Sequence, residues 1–220
     1  MRKKLDRFRD NAERRNIIER GKPIYETIKG NWNKGFFKND HDLVVEFGCG
    51  RGEYSVGLAE QFPEKNFIGV DIKGARIWVG STYAINNGLE NVAFLRTNIV
   101  LLNDFFDQNE VSEIWVTFPD PRPKDRDEKR RLTSPVFMDK YKAILRENGW
   151  VKFKTDDTML FDYTLSLFEK DVKVKNLSYT HDLYQSDLFE EHHGVKTKYE
   201  KLFYDKGETI KYMKFQFEKS

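Results

Sequence analysis

The chain has 220 residues, 39% hydrophobic and 34% charged, with a net charge of +2. That length suffices for one well-buried domain with a short extension, and the charge content describes a highly soluble surface rather than a disordered polymer. A single cysteine, Cys49, excludes intramolecular disulfides and thiolate zinc clusters, and with no signal peptide or membrane-length apolar run the expectation is a cytoplasmic protein with no membrane partner.

The net charge hides an uneven distribution, because residues 1–22 hold nine Lys or Arg against four acidic residues. With few apolar positions, this stretch predicts a basic helical arm that is mobile without a partner. Its cations suit either a solvated helix face or contact with RNA. The arm is assigned residues 1–35 and the folded domain residues 36–220.

Residues 43–53, "LVVEFGCGRGE", join an apolar run to a glycine-rich turn. Residues 43–47 read as a buried strand, and glycines at 48, 50 and 52 remove the side chains that would keep a ligand from the main chain. Tyr54, Leu58 and Phe62 then mark a helix, completing a strand, loop and helix of nucleotide-binding type. A dinucleotide fingerprint wants a third glycine three places after the second, where this chain has Glu53. Glu46, just before the first glycine, is ill suited to two phosphates but suits an ammonium or sulfonium charge. S-adenosylmethionine carries both. The next strand, "NFIGVDI", ends in Asp71, placed to accept from ribose hydroxyls.

A helix over 73–87 follows, closed by Gly88, and "NVAFLR" reads as the third strand. Asn98, beyond it, suits either the adenine edge of the ligand or a simple turn. "SEIWVTF" makes a fourth strand that runs directly into "PDPRPKDRDEKRRL", where prolines at 119, 121 and 123 forbid helix and stiffen the loop. Asp120 therefore stands where an open α/β sheet keeps its reactive groups. Arg126, Lys129, Arg130 and Arg131 form a phosphate-facing patch, diluted by Asp125, Asp127 and Glu128.

Ser134 and Pro135 open a helix whose buried face is Phe137, Tyr141, Ile144 and Leu145. "WVKFKT" is the fifth strand, followed by Asp156 and Asp157. One of the two caps the next helix, and the apolar pattern of Leu160, Tyr163 and Leu167 gives that task to Asp157 and frees Asp156. Strands near 172–179 and 209–217 complete an α/β, doubly wound, seven-stranded sheet with an antiparallel final strand. His192 and His193 are adjacent and point apart, so no metal site is read.

The residues together resemble the bacterial tRNA (guanine-N7-)-methyltransferase family over nearly the whole chain. The resemblance rests on "VVEFGCGRGE" with "NFIGVDI", on "FPDPRPKDRDEKRRLT", and on "KTDD" with the late "TKYE". It implies a class I methyltransferase fold that uses S-adenosyl-L-methionine to form 7-methylguanosine in the variable loop of tRNA. Glu46, Gly48, Gly50, Asp71, Asn98 and Asp120 would hold the cofactor, with Asp120 also catalytic. Lys124, Asp156, Thr197, Lys198, Tyr199 and Glu200 correspond to substrate-binding positions, and 126–131 to the RNA-contacting segment. The chain departs from the family at Arg122, where tryptophan is usual, and at Asn98, where aspartate is common. A nicotinamide oxidoreductase would explain the glycine loop and Asp71 but leaves Glu46 and the proline segment without a role. A non-catalytic RNA-binding protein on the same fold would keep the basic surface and lose turnover.

Overall fold

The computed structural model describes residues 3–218. Met1 and Arg2, which the sequence places in the basic arm, lie outside the described residues. Strand β1 (Ile17–Glu19) follows helix α1 (Lys4–Glu13), and β2 (Asp42–Phe47), α2 (Glu53–Gln61), β3 (Lys65–Asp71), α3 (Gly74–Asn86) and β4 (Val92–Arg96) come next. Then come β5 (Val111–Thr117), α4 (Pro135–Ile144), β6 (Leu145–Thr155), α5 (Thr158–Lys170), β7 (Val174–Thr180), α6 (Lys198–Tyr204) and β8 (Lys211–Phe217).

The strands form one sheet in the order β1-β4-β3-β2-β5-β6-β8-β7, in which β8 runs antiparallel to both neighbours and the other pairings are parallel. The antiparallel last strand is as expected. Alternation along β2 shows how the sheet is covered: Val44 packs with Tyr54, Leu58 and Ile77 of α2 and α3, while Val45 and Phe47 pack with Phe137 and Tyr141 of α4 on the opposite face. Strand order reverses at β2, with β3 on one side and β5 on the other. The loops after β2 and β5 therefore flank the crevice where open α/β sheets bind ligands.

The sheet has eight strands rather than the expected seven, and the extra one comes from the arm. Ile17–Glu19 pairs in parallel with β4, and Ile17 and Ile18 are fully buried. Helix α1 also packs on α3 through Asn11 Nδ2 to the Gly74 carbonyl (2.9 Å), Arg14 Nη1 to the Trp78 carbonyl (2.9 Å) and Trp78 Nε1 to Asp10 (2.7 Å). Lys22 Nζ donates to the carbonyls of Asn11, Arg14 and Ile17 at 2.6–2.7 Å. The expectation of a mobile arm is corrected accordingly. Its few apolar residues add a sheet edge, and its cations Arg14 and Lys22 satisfy main-chain oxygens that have lost water.

Candidate active site

Strand β2 ends in a turn built for close approach. Gly48, Gly50 and Gly52 have φ of 79°, 54° and 71°, and a Cβ at Gly52 would lie 2.4 Å from the Phe94 ring. Glu46, buried beneath the turn, accepts at Oε2 from the Ser55 amide (3.0 Å) and hydroxyl (2.5 Å), and at Oε1 from the Thr117 hydroxyl (2.5 Å). Burial pushes its carboxyl above the usual range, and those hydrogen bonds pull it partly back. Asp71 braces the same turn, taking the Gly50 amide at 2.9 Å and the Lys73 amide at 2.7 Å. Cys49 is buried and its thiol is pushed well up by burial, so it is no nucleophile here.

Two hollows of about 580 Å³ each open at this crevice and share Gly48, Arg76 and Phe118 on their walls. One brings together Glu46, Gly50, Thr117, Thr197, Lys198 and Tyr199. The other brings together Asp71, Asn98, Asp120, Arg122, Lys129 and Arg130, with Ile72 and Val100 leaving apolar surface exposed on its wall. Asn98 accepts from the Val100 amide (3.1 Å), so the turn-forming reading holds while its side chain still lines the hollow. A nucleoside fits this donor set: an acidic acceptor for a ribose, an amide for a base edge, and uncovered aliphatic groups for its faces. Glu46 under the turn provides the carboxylate that a cationic ligand tail requires.

The proline–aspartate loop is constrained at its ends and open at its centre. Phe118 and Arg122 sit at φ of 47° and 49°, a strained region for residues with a Cβ. Asp120 has a side chain 64% exposed, held by Arg122 Nε at 3.1 Å and by the Arg122 amide at 3.3 Å. Arg122 thus orients the aspartate beside it. Lys124 is exposed at the start of a 3-10 turn, Asp125–Arg130, and lines neither hollow. Arg126, Lys129 and Arg130 are exposed on that turn, with Arg130 also 3.1 Å from Asp127.

Arg131 departs from the expected phosphate-facing role. It is only 5% exposed, donates from Nε to the Arg122 carbonyl (3.2 Å) and covers the Tyr163 ring at 4.3 Å. It anchors the loop from below. Glu200 is likewise fully buried, 2.7 Å from Lys154 Nζ and accepting from the Tyr184 hydroxyl, so its carboxylate does not line the hollow. The four residues 197–200 divide accordingly. Thr197 lines the hollow while its hydroxyl accepts from the Glu200 amide as the cap of α6, and Lys198 and Tyr199 also face the hollow. Tyr199 packs on Phe118 (5.5 Å between ring centres) and reaches Asp156 through its hydroxyl at 3.4 Å. Burial is the main cause that raises the Asp156 carboxyl above its usual range. Asp157 caps α5 through the Leu160 amide at 2.7 Å, as read from the sequence.

Sequence reasoning missed Ser55 and Thr117, which hold Glu46, and Lys154. Thr117 was legible in principle, since β2 and β5 pair in register up to Phe47 and Val116 and the next residue overhangs the crevice. Among the described residues, no group of three or more His, Cys, Asp or Glu is placed to hold a metal ion. No helix of the described residues is long and apolar enough to cross a membrane.

A doubly wound sheet with a carboxylate-backed glycine turn and a reactive loop facing each other across the switch point defines the methyltransferase class. The crystal structure of the 16S rRNA methyltransferase KamB has the same fold, with a TM-score of 0.61 at 15% identity, covering 91% of this chain and 95% of that one. A 16S rRNA adenine N1-methyltransferase from Catenulisporales acidiphilia, solved with its cosubstrate SAM, superposes with a TM-score of 0.56 at 13% identity over 84% of this chain and 88% of that one. The family model described as "Putative methyltransferase" matches residues 40–213. A tRNA (guanine-N(7)-)-methyltransferase of Cytophaga hutchinsonii is 49% identical over 98% of both chains, and one from Bacteroides fragilis is 48% identical over 96% of this chain and 84% of its own. The chain belongs to the tRNA (guanine-N(7)-)-methyltransferase family.

Proposed function

We propose that the protein transfers the methyl group of S-adenosylmethionine to N7 of a guanosine in the variable loop of tRNA, forming 7-methylguanosine. The observation that carries this reading is the junction of the two hollows at Gly48 and Phe118, with Asp120 on one side and Lys198 and Tyr199 on the other. S-adenosylmethionine supplies an electrophilic methyl group on a sulfonium centre when bound there. Glu46 backs the glycine turn with negative charge, Asp71 takes the ribose, Asn98 takes the adenine edge, and Ile72 and Val100 cover its faces.

Guanine N7 bears a lone pair and no proton, so no general base is required and positioning is the main task. Holding nucleophile and methyl carbon in line supplies roughly 7 to 11 kcal/mol through proximity and orientation. The guanine leaves its stack, at a cost of a few kcal/mol, to enter the crevice. Asp120 accepts from the guanine N1-H and N2 amino group and so favours the ring as it becomes cationic. Tyr199, with Asp156 behind it, offers an aromatic surface for the base, while Arg126, Lys129 and Arg130 meet backbone phosphates. Lys124, close in sequence to this turn, serves a phosphate better than guanine O6, since a cation next to N7 lowers its nucleophilicity. Residues 1–35, docked on α3 and the β4 edge of the 36–220 domain, extend its RNA-binding surface through cations that remain exposed, such as Arg15 and Arg20. Incubation with labelled S-adenosylmethionine and bulk tRNA, followed by mapping of the modified base, tests the reading; label in another base or none in tRNA overturns it.

A further inference from the structure

Lys154 lines neither hollow, yet it is the last cation of β6 before Asp156 and is completely buried. Its ammonium lies 2.7 Å from Glu200 Oε1 on α6, 5.1 Å from the centre of the Tyr54 ring and 5.9 Å from that of Phe118. Its carbonyl accepts from the Phe118 amide at 2.8 Å. One residue thus holds the strained start of the proline–aspartate loop by its main chain and the first turn of α6 by its side chain. That turn is tied at its other side by the Lys198 amide donating to Glu53 Oε2 at 2.9 Å.

The pair is a poor device for stability alone. Glu200 Oε2 makes no hydrogen bond, and the Lys154 ammonium sits close to Oε1 without good hydrogen-bond alignment. Burial lowers the lysine's affinity for its proton, and Glu200 opposes that effect. Well-packed apolar residues of the same volume commonly do as well or better than such a pair, whereas an ion pair fixes direction and distance. The distance fixed here is that between the proline–aspartate loop at Phe118, which lines both hollows, and the first turn of α6 at Tyr199, whose ring packs on Phe118.

We infer that Lys154 is a positioning residue for methyl transfer, fixing how α6 sits against the proline–aspartate loop at the junction of the two hollows by tethering the two through Glu200. The inference rests on the proposed function and deepens it. Lys154 touches neither substrate nor cofactor. Its action goes through Tyr199 and Phe118, whose packed rings form one wall where the two hollows meet.

The test uses three variants of the full chain: Lys154→Met, Glu200→Gln, and the two combined. Lys154→Met leaves a buried carboxylate without its partner, so both melting temperature and methyl transfer fall. In the double variant neither charge remains and the volumes are kept, so the melting temperature recovers. The single-turnover rate at saturating tRNA is expected to stay about 10- to 100-fold low, the scale of a misplacement near 1 Å. S-adenosylmethionine affinity, measured by calorimetry, stays unchanged. Glu200→Gln leaves the buried ammonium without its counter-charge, so it too is expected to lower the melting temperature and to lose rate in the same sense. Recovery of rate together with stability in the double variant, or an unchanged rate in Glu200→Gln, overturns the inference alone. A wild-type protein that methylates no tRNA overturns the functional reading and this inference with it.

Discussion

The glycine turn after β2 and the proline–aspartate loop after β5 face each other across one crevice, and they are built in opposite ways. In the first, the carboxylates already have internal partners: Glu46 accepts three hydrogen bonds and Asp71 two before any ligand is considered. In the second, Asp120 is 64% exposed and holds only its neighbour Arg122. The difference teaches that the proposed cofactor side is preorganised, while the proposed RNA side keeps its polar groups in water, as suits a large substrate that removes that water on binding. Damage to the first should appear as weaker cofactor affinity, and damage to the second as a slower rate or a flatter salt dependence.

The largest expected effect lies on the open side. Asp120→Asn swaps one acceptor for a donor facing the guanine N1-H and N2 amino group, and should lower single-turnover methyl transfer by about 2.7 to 4 kcal/mol of transition-state stabilisation. Replacing the target guanosine with inosine, which lacks the amino group, should slow the native enzyme and add much less to the variant's deficit. Full additivity of the two effects would move Asp120 away from the base and break the contrast between the two sides.

On the preorganised side, Asp71→Ala removes both the proposed ribose acceptor and a brace of the Gly50 amide. Cofactor affinity should weaken by about 1.5 to 3 kcal/mol, the range for hydrogen bonds to charged groups, and calorimetry reporting the native affinity would contradict the assignment.

A pH series sharpens the same contrast at Glu46. Its carboxyl is held high by burial, and a cationic ligand favours the ionised form, so binding releases a proton and cofactor affinity falls as pH drops through the raised pKa. The unliganded fold responds in the opposite sense. There the native acid holds its proton more tightly than the unfolded one, so stability declines as pH rises above the unfolded value. Thr117→Val deletes one hydrogen bond that favours the ionised carboxylate and should move the midpoint of the affinity profile up. A profile that does not move would mean Thr117 only packs.

The smallest effect separates two arginines that adjoin in sequence. Lys129→Ala with Arg130→Ala should reduce the slope of log affinity for tRNA against log salt by about 0.7 to 0.9 for each phosphate no longer neutralised, with cofactor binding unchanged. Arg131→Ala should leave that slope alone and lower the melting temperature, because its guanidinium covers Tyr163 and holds the Arg122 carbonyl from inside. Equal slopes for all variants would return the whole turn to a solvated face.

The sequence by itself determined the parts that depend on local periodicity and on residue chemistry at fixed spacing. The strand–glycine–helix unit, Asp71 at the end of its strand, the proline-stiffened loop with Asp120, the cap at Asp157 and the antiparallel last strand all follow from patterns within a few residues. What only the tertiary structure decided is where charged side chains end up when distant segments meet. The arm joined the sheet because Ile17 and Ile18 found the free edge of β4, a pairing across more than seventy residues that no local pattern records. Arg131, expected to face phosphate, and Glu200, expected to meet substrate, are buried, since their partners Tyr163 and Lys154 come from other elements. Burial of a charge is a property of its whole surroundings, and a one-dimensional pattern carries only its neighbours.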